Sequence, residues 1–182
     1  MTGLEDVYRE NLEDLYREII LDHYRSPRNR GELASPPALR VEGFNPLCGD
    51  EIVVTLEVKD GVVSDIKIAG TGCSISQSSA SLMSAAVKGR PIPEVRDLIR
   101  TFKGMMSIHE ATLPSSNGAD GKGTTDAGAD VEPIEPQAID VDALGELAAL
   151  QGVVKFPVRI KCATLSWNTL AEGLDAPEAS TA

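Results

Sequence analysis

Apolar residues recur every three or four positions through the first part of the chain, at Leu4, Val7, Tyr8, Leu12, Leu15, Tyr16, Ile19, Ile20 and Tyr24. This period predicts an amphipathic helix over 4–24, with Glu5, Asp6, Glu10, Glu13 and Asp14 on a solvated face. Ser26-Pro27 stops it. Pro27, Gly31, Pro36 and Pro37 then punctuate a loop over 26–40, which Arg25, Arg28, Arg30 and Arg40 make locally basic. A strand is expected near 39–44. Residues 50–59 and 62–69 are runs rich in β-branched residues that alternate in polarity, and Asp60-Gly61 between them is a strong hairpin signal. Val54, Leu56 and Val58, then Val63, Ile66 and Ile68, suit a half-buried antiparallel sheet. The helical period returns at 74–88, where Ile75, Leu82, Met83, Ala86 and Val87 form the apolar face and Gly89 and Pro91 close the helix. A second helix is expected from Pro93 to about Ser107, with Val95, Leu98, Ile99, Phe102 and Met106 inward. Helical patterns resume at 141–150 (Val141, Leu144, Leu147, Leu150) and at 157–173.

Residues 111–138 interrupt this periodicity. They are small, polar and acidic, and none is aromatic. Such a segment buries too little apolar surface to offset its ordering entropy, so it is read as a flexible acidic insertion within one domain spanning 1–182. Residues 175–182 are expected to form a disordered C-terminal tail. The length of 182 residues suits one domain with a real core.

Charge changes the picture in one respect. The formal net charge is −11, which argues against a globally basic nucleic-acid binder. It is unevenly placed: residues 1–24 hold seven acids and two bases, and 110–140 hold seven acids and one base. No window is apolar for long enough to span a membrane. No basic, apolar leader is read at the N-terminus, so the expected location is the cytoplasm.

The candidate chemistry lies in three cysteines, Cys48, Cys73 and Cys162. An odd number without a secretory leader argues against a disulfide framework. Buried structural thiols, metal ligands and a reactive thiol remain as readings. Each cysteine falls at a boundary between expected elements. Cys48 lies in a tight turn before a strand, Cys73 at the start of a helix behind Gly70 and Gly72, and Cys162 near the start of the last helix. A helix N-terminus favours a thiolate at Cys73, and Arg159 and Lys161 place cationic charge beside Cys162. Asp50 follows Cys48 by two, a spacing that can aim thiolate and carboxylate at one point. Three thiolates and one carboxylate make the four ligands of a tetrahedral zinc. There is no CxxC, however, and a free cysteine is commonly a small buried hydrophobe. Neither His23 nor His109 has ligand spacing to a cysteine, and both are left outside the site.

Asn45-Pro-Leu-Cys-Gly-Asp50, Gly70-Thr-Gly-Cys-Ser-Ile-Ser76, Phe156-Pro-Val-Arg-Ile-Lys-Cys-Ala163-Thr-Leu-Ser-Trp167 and the helix end Leu21-Asp-His-Tyr-Arg-Ser-Pro-Arg-Asn29 together resemble the SufU branch of the IscU/NifU N-terminal family of iron–sulfur cluster assembly proteins. The resemblance covers roughly 12–110 and 139–174. It implies an α+β fold in which a small antiparallel sheet of about three strands is packed by five to six helices. It implies a metal held by Cys48, Asp50, Cys73 and Cys162. It also implies a pyridoxal-phosphate-dependent cysteine desulfurase (SufS) as partner, and a downstream Suf scaffold or other acceptor for the sulfur.

Scaffolds of the IscU type carry His immediately before the last cysteine, and here that position is Lys161. SufU-type members lack that His and carry an insertion before the last helix. The expected function is therefore zinc-dependent sulfur transfer, with Cys48 accepting persulfide sulfur and Arg159 orienting Cys48 or the incoming sulfur. On this reading the protein is an activating partner of the desulfurase rather than a stand-alone enzyme. A histidine of the desulfurase would replace Cys48 on the metal. The alternatives are a scaffold that assembles and hands on a [2Fe–2S] cluster, and a binding module with a closed structural zinc.

Overall fold

The computed structural model describes residues 3–107 and 144–176. The expected acidic insertion 111–138, His109, Val141 and residues 177–182 of the expected tail lie outside them. Three strands, β1 (Leu39–Asn45), β2 (Asp50–Lys59) and β3 (Val62–Thr71), form an antiparallel meander in the order β1-β2-β3. Asp60 and Gly61, with φ of 53° and 72°, supply the two left-handed residues that a tight hairpin between β2 and β3 requires.

Alternation sends Ile52, Val54 and Leu56 of β2 to the buried face. On β3 the buried set is Val63, Ile66 and Ile68, whose spacing breaks once. A register shift at Glu57/Val58 accounts for the break: Val58 pairs with Val63 but Glu57 with Asp65, so β3 carries one extra residue there.

Helices cover that face. In chain order they are α1 (Gly3–Arg25), α2 (Ser74–Val87), α3 (Ile92–Ser107), a 3-10 helix (Gly145–Lys155) and α4 (Pro157–Asp175). The α+β class is as the resemblance implies, with five helices among the described residues. The apolar faces expected for α2 and α3 are the ones that join the core, together with Trp167 and Leu170 of α4. Trp167 is fully buried, stacks on Phe102 at 4.3 Å between ring centroids and donates its Nε1–H to Ser79 Oγ at 3.2 Å. Helix α4 lies close against β1: a Cβ on Gly43 would collide with Thr169 Oγ1. None of the described helices is long and apolar enough to cross a membrane.

Two elements differ from expectation. Of the segment expected to be helical at 141–150, residues 145–150 fall in a 3-10 helix that runs on to Lys155. Its apolar spacing is strictly three, at Leu144, Leu147, Leu150 and Val153. Three residues per turn stacks these on one face, and all four are buried.

Helix α1 forms as expected, but its apolar stripe is only half used. Tyr16, Ile19 and Ile20 pack on the core, whereas Val7, Tyr8, Leu12, Leu15 and Tyr24 are exposed. Among the described residues, α2 and the 3-10 helix are its main helical neighbours, and its core-packed residues lie toward its C-terminal end. There His23 is buried, with Nδ1 2.8 Å from Ser81 Oγ and Nε2 3.4 Å from Glu146 Oε2. It joins three helices, the structural place expected for it. The last helix runs through Asp175, one residue into the segment expected to be tail.

Candidate metal centre

Asn45 ends β1 and Asp50 begins β2, and the two face each other in the strand register. The turn between them carries Cys48. Its N–H and that of Gly49 both donate to the Asn45 carbonyl, at 3.3 and 2.9 Å. The Asn45 side chain closes the turn from the other side, with Oδ1 accepting the Leu47 N–H at 3.2 Å. Asparagine before proline is a turn-forming pair for this reason. The turn leaves Cys48 exposed while Asp50 is fully buried.

The end of β3 comes down beside Asp50. Gly72 lies against the carboxylate: a Cβ there would stand 2.5 Å from Asp50 Oδ1. Only glycine lets the chain pass so close, and it brings the Cys73 N–H to 2.8 Å from Oδ1. Cys73 is the N-cap of α2, its sulfur accepting the Ser76 N–H at 3.4 Å. The start of the helix expected for Cys73 is thus its position.

Cys162 arrives from the second turn of α4, after Phe156 and Pro157 begin that helix. It is buried, its Sγ 3.2 Å from Cys48 Sγ and within 3.7 Å of Asn45 Nδ2. Burial, then the contact with Cys48 and the nearby Asp50 carboxylate, push the Cys162 thiol far above its ordinary range. This corrects the expectation that Arg159 and Lys161 would favour the anion. Both cations are exposed to water, so desolvation of the sulfur outweighs them.

The ligand atoms of Cys48, Asp50 and Cys162 lie within 4.8 Å of one another. Cys73 is not in that close group. It joins the site through its backbone bond to Asp50 and as a wall of the same cleft. The second carboxylate oxygen, Asp50 Oδ2, is buried and has no hydrogen-bond partner among the described residues. A buried carboxylate oxygen left without a donor is costly. Beside two converging sulfurs, it is what a thiophilic cation would satisfy, so the donor set fits zinc.

The cleft has a volume of about 420 Å³ and is lined by Cys48, Cys73 and Cys162, by Lys155 and Arg159, and by the apolar run Phe156-Pro157-Val158. Phe156 and Val158 of that lining are exposed, as is Leu47 in the turn that carries Cys48. Lys155 pairs with Glu13 of α1 at 3.2 Å, and Arg159 forms no ion pair among the described residues. Asn45 and the exposed Phe156 and Val158 were not expected among the site residues. The Asn-Pro turn pair was the available sign for the first. Nothing in a linear pattern separates an apolar rim from an apolar core.

Residues 15–127 match the NifU-like N terminal domain family. The chain is 40% identical over 171 residues to the zinc-dependent sulfurtransferase SufU of Bacillus subtilis (strain 168), an alignment that covers 94% of this chain and 97% of the relative. It is 34% identical over 150 residues to the iron–sulfur cluster assembly scaffold protein IscU of Streptococcus pyogenes serotype M1, covering 82% of this chain and 76% of the relative. Among solved structures, one described as a hypothetical protein superposes with a TM-score of 0.68 at 33% identity, over 90% of this chain and 98% of that one.

Proposed function

Because the chain belongs to the NifU-like N-terminal domain family, we propose that it is a zinc-dependent sulfur-transfer protein of iron–sulfur cluster assembly, and that it accepts persulfide sulfur on Cys48. The donor is a pyridoxal-phosphate-dependent cysteine desulfurase of the SufS type. The next acceptor is a Suf scaffold or another sulfur-accepting protein. One observation carries the reading: the only exposed cysteine, Cys48, stands at the mouth of a cleft with the buried Cys162 sulfur 3.2 Å away and the unpartnered Asp50 oxygen nearby. The 40% identity to a protein named a zinc-dependent sulfurtransferase supports it.

Cys48, Asp50, Cys73 and Cys162 would hold the zinc ion, which supplies a charge that keeps the thiols as thiolates at neutral pH. The Cys48 thiolate attacks the terminal sulfur of the donor's persulfide. A new S–S bond forms on Cys48 as the donor's S–S bond breaks, and the donor cysteine leaves as its thiolate. One S–S bond replaces another, so no oxidant or reductant enters. The exposed Leu47, Phe156 and Val158 give the donor an apolar rim to rest on. Arg159, lining the cleft without an ion-pair partner among the described residues, orients the anionic persulfide. The cytoplasm, which keeps thiols reduced, is the compartment this reading expects.

A second reading has its own support in the 34% identity to a protein named an IscU scaffold. On it, the same thiolates carry a [2Fe–2S] cluster as cargo. The residue before Cys162 is the exposed Lys161, where scaffolds of the IscU type carry histidine, and this favours transfer. Metal assay of the protein purified without reconstitution separates the two. Zinc near one per chain is expected, and iron with a visible chromophore would favour the scaffold. With the desulfurase and cysteine but no iron, alanine production should be stimulated by the protein and not by Cys48→Ala. Equal stimulation by both would end the transfer reading.

A further inference from the structure

We propose that Asn45 is a positioning residue of the metal centre, whose side-chain amide holds the Cys162 sulfur as a fixed ligand and leaves Cys48 as the one free to depart. The proposal rests on the reading of Cys162 as a metal ligand. Asn45 is buried, and both ends of its side chain are engaged. Oδ1 takes the Leu47 N–H and so shapes the Cys48 turn, while Nδ2 donates toward Cys162 Sγ at 3.7 Å, a distance that sulfur's larger radius allows.

The three sulfurs are not treated alike. Cys162 receives the Asn45 amide and Cys73 the Ser76 N–H. Among the described residues no N–H reaches the sulfur of Cys48, which is also the exposed one. Three thiolates and a carboxylate around a dication leave a net negative charge. A neutral N–H donor stabilises such a ligand without competing for the metal, as outer partners of metal ligands do generally. The two sulfur ligands that must stay during transfer are thus the two held by donors.

The test uses Asn45→Ser and Asn45→Thr. Both keep an oxygen that can accept the Leu47 N–H, and neither offers an N–H to the sulfur. Zinc affinity, measured by competition with a chromophoric chelator, should fall about tenfold or more in both. The metal-free variants should melt where the metal-free wild type does. In the cobalt(II)-loaded protein, the thiolate-to-metal charge-transfer band should move to lower energy, because the sulfur has lost its donor. Unchanged zinc affinity and an unmoved cobalt band would overturn the proposal. So would a loss of stability as large without metal as with it, since that is what a purely structural asparagine would give. If the serine variant fails to fold, the threonine variant, whose hydroxyl can take the same N–H, carries the same comparisons. A wild-type protein that binds no zinc would instead overturn the metal reading from which the proposal starts, so the two failures are told apart.

Discussion

Gly72→Ala probes the tightest contact in the centre. An added Cβ would stand 2.5 Å from Asp50 Oδ1, and ordinary contact begins near 3.4 Å, so the carboxylate must retreat by about 0.9 Å. If it moves along its bond to the Cys73 N–H, the separation grows from 2.8 Å to about 3.7 Å, past the reach of an N–H···O bond. Losing a hydrogen bond to a charged group costs about 1.5–3 kcal/mol. The carboxylate moves as a unit, so Oδ2, the oxygen offered to a metal, is displaced with it. Zinc affinity should therefore fall by about 10–100-fold, the range typical when the support of a ligand is disturbed. Competition with a chelator measures it. Gly152→Ala serves as control, because a Cβ there meets nothing within 4 Å. Zinc binding by Gly72→Ala as tight as by wild type would refute the claim that glycine is needed there to seat Asp50.

Further outcomes follow from the core and from the charges. Trp167→Ala removes a fully buried ring with its Phe102 stack and its bond to Ser79. Denaturant unfolding should show a loss of about 3–5 kcal/mol, and a much smaller loss would mean that α4 is not anchored there. His23 is held below its ordinary value of 6.5, first by burial and then by Arg28. Below that pH the unfolded chain binds a proton that the folded chain refuses. The stability His23 contributes is thus present above 6.5 and lost as pH falls through it. The urea midpoint should drop over that window in wild type and stay flatter in His23→Gln. Deletion of 113–136 should leave desulfurase stimulation unchanged, and its loss would give that acidic segment a docking role.

Much of the fold is legible in local pattern. The Asp60-Gly61 hairpin, the three strands and the apolar faces of α2 and α3 follow from period and turn chemistry acting over a few residues. Where longer-range contacts decide, the pattern misleads. The stripe of α1 is continuous in sequence, yet among the described residues its core packing is at Tyr16, Ile19 and Ile20, and Tyr8 and Leu12 are exposed. The one-residue shift at Glu57/Val58 belongs to a pair of strands and cannot be seen in either alone.

The site divides the same way. By itself the amino-acid sequence determined the candidate ligand types, and local backbone geometry within a few residues set the turn that exposes Cys48 and the helix start that caps on Cys73. Only the tertiary structure decided that Cys162, 114 positions from Cys48, meets it at 3.2 Å. That meeting depends on α4 lying close against β1 at Gly43, a contact between two elements distant in the chain. Tertiary packing also gave Asn45 its second partner and left Asp50 Oδ2 without one. It made burial, rather than the neighbouring Arg159 and Lys161, the dominant influence on the Cys162 thiol. Charges adjacent in sequence act through water, whereas desolvation depends on everything folded around the sulfur.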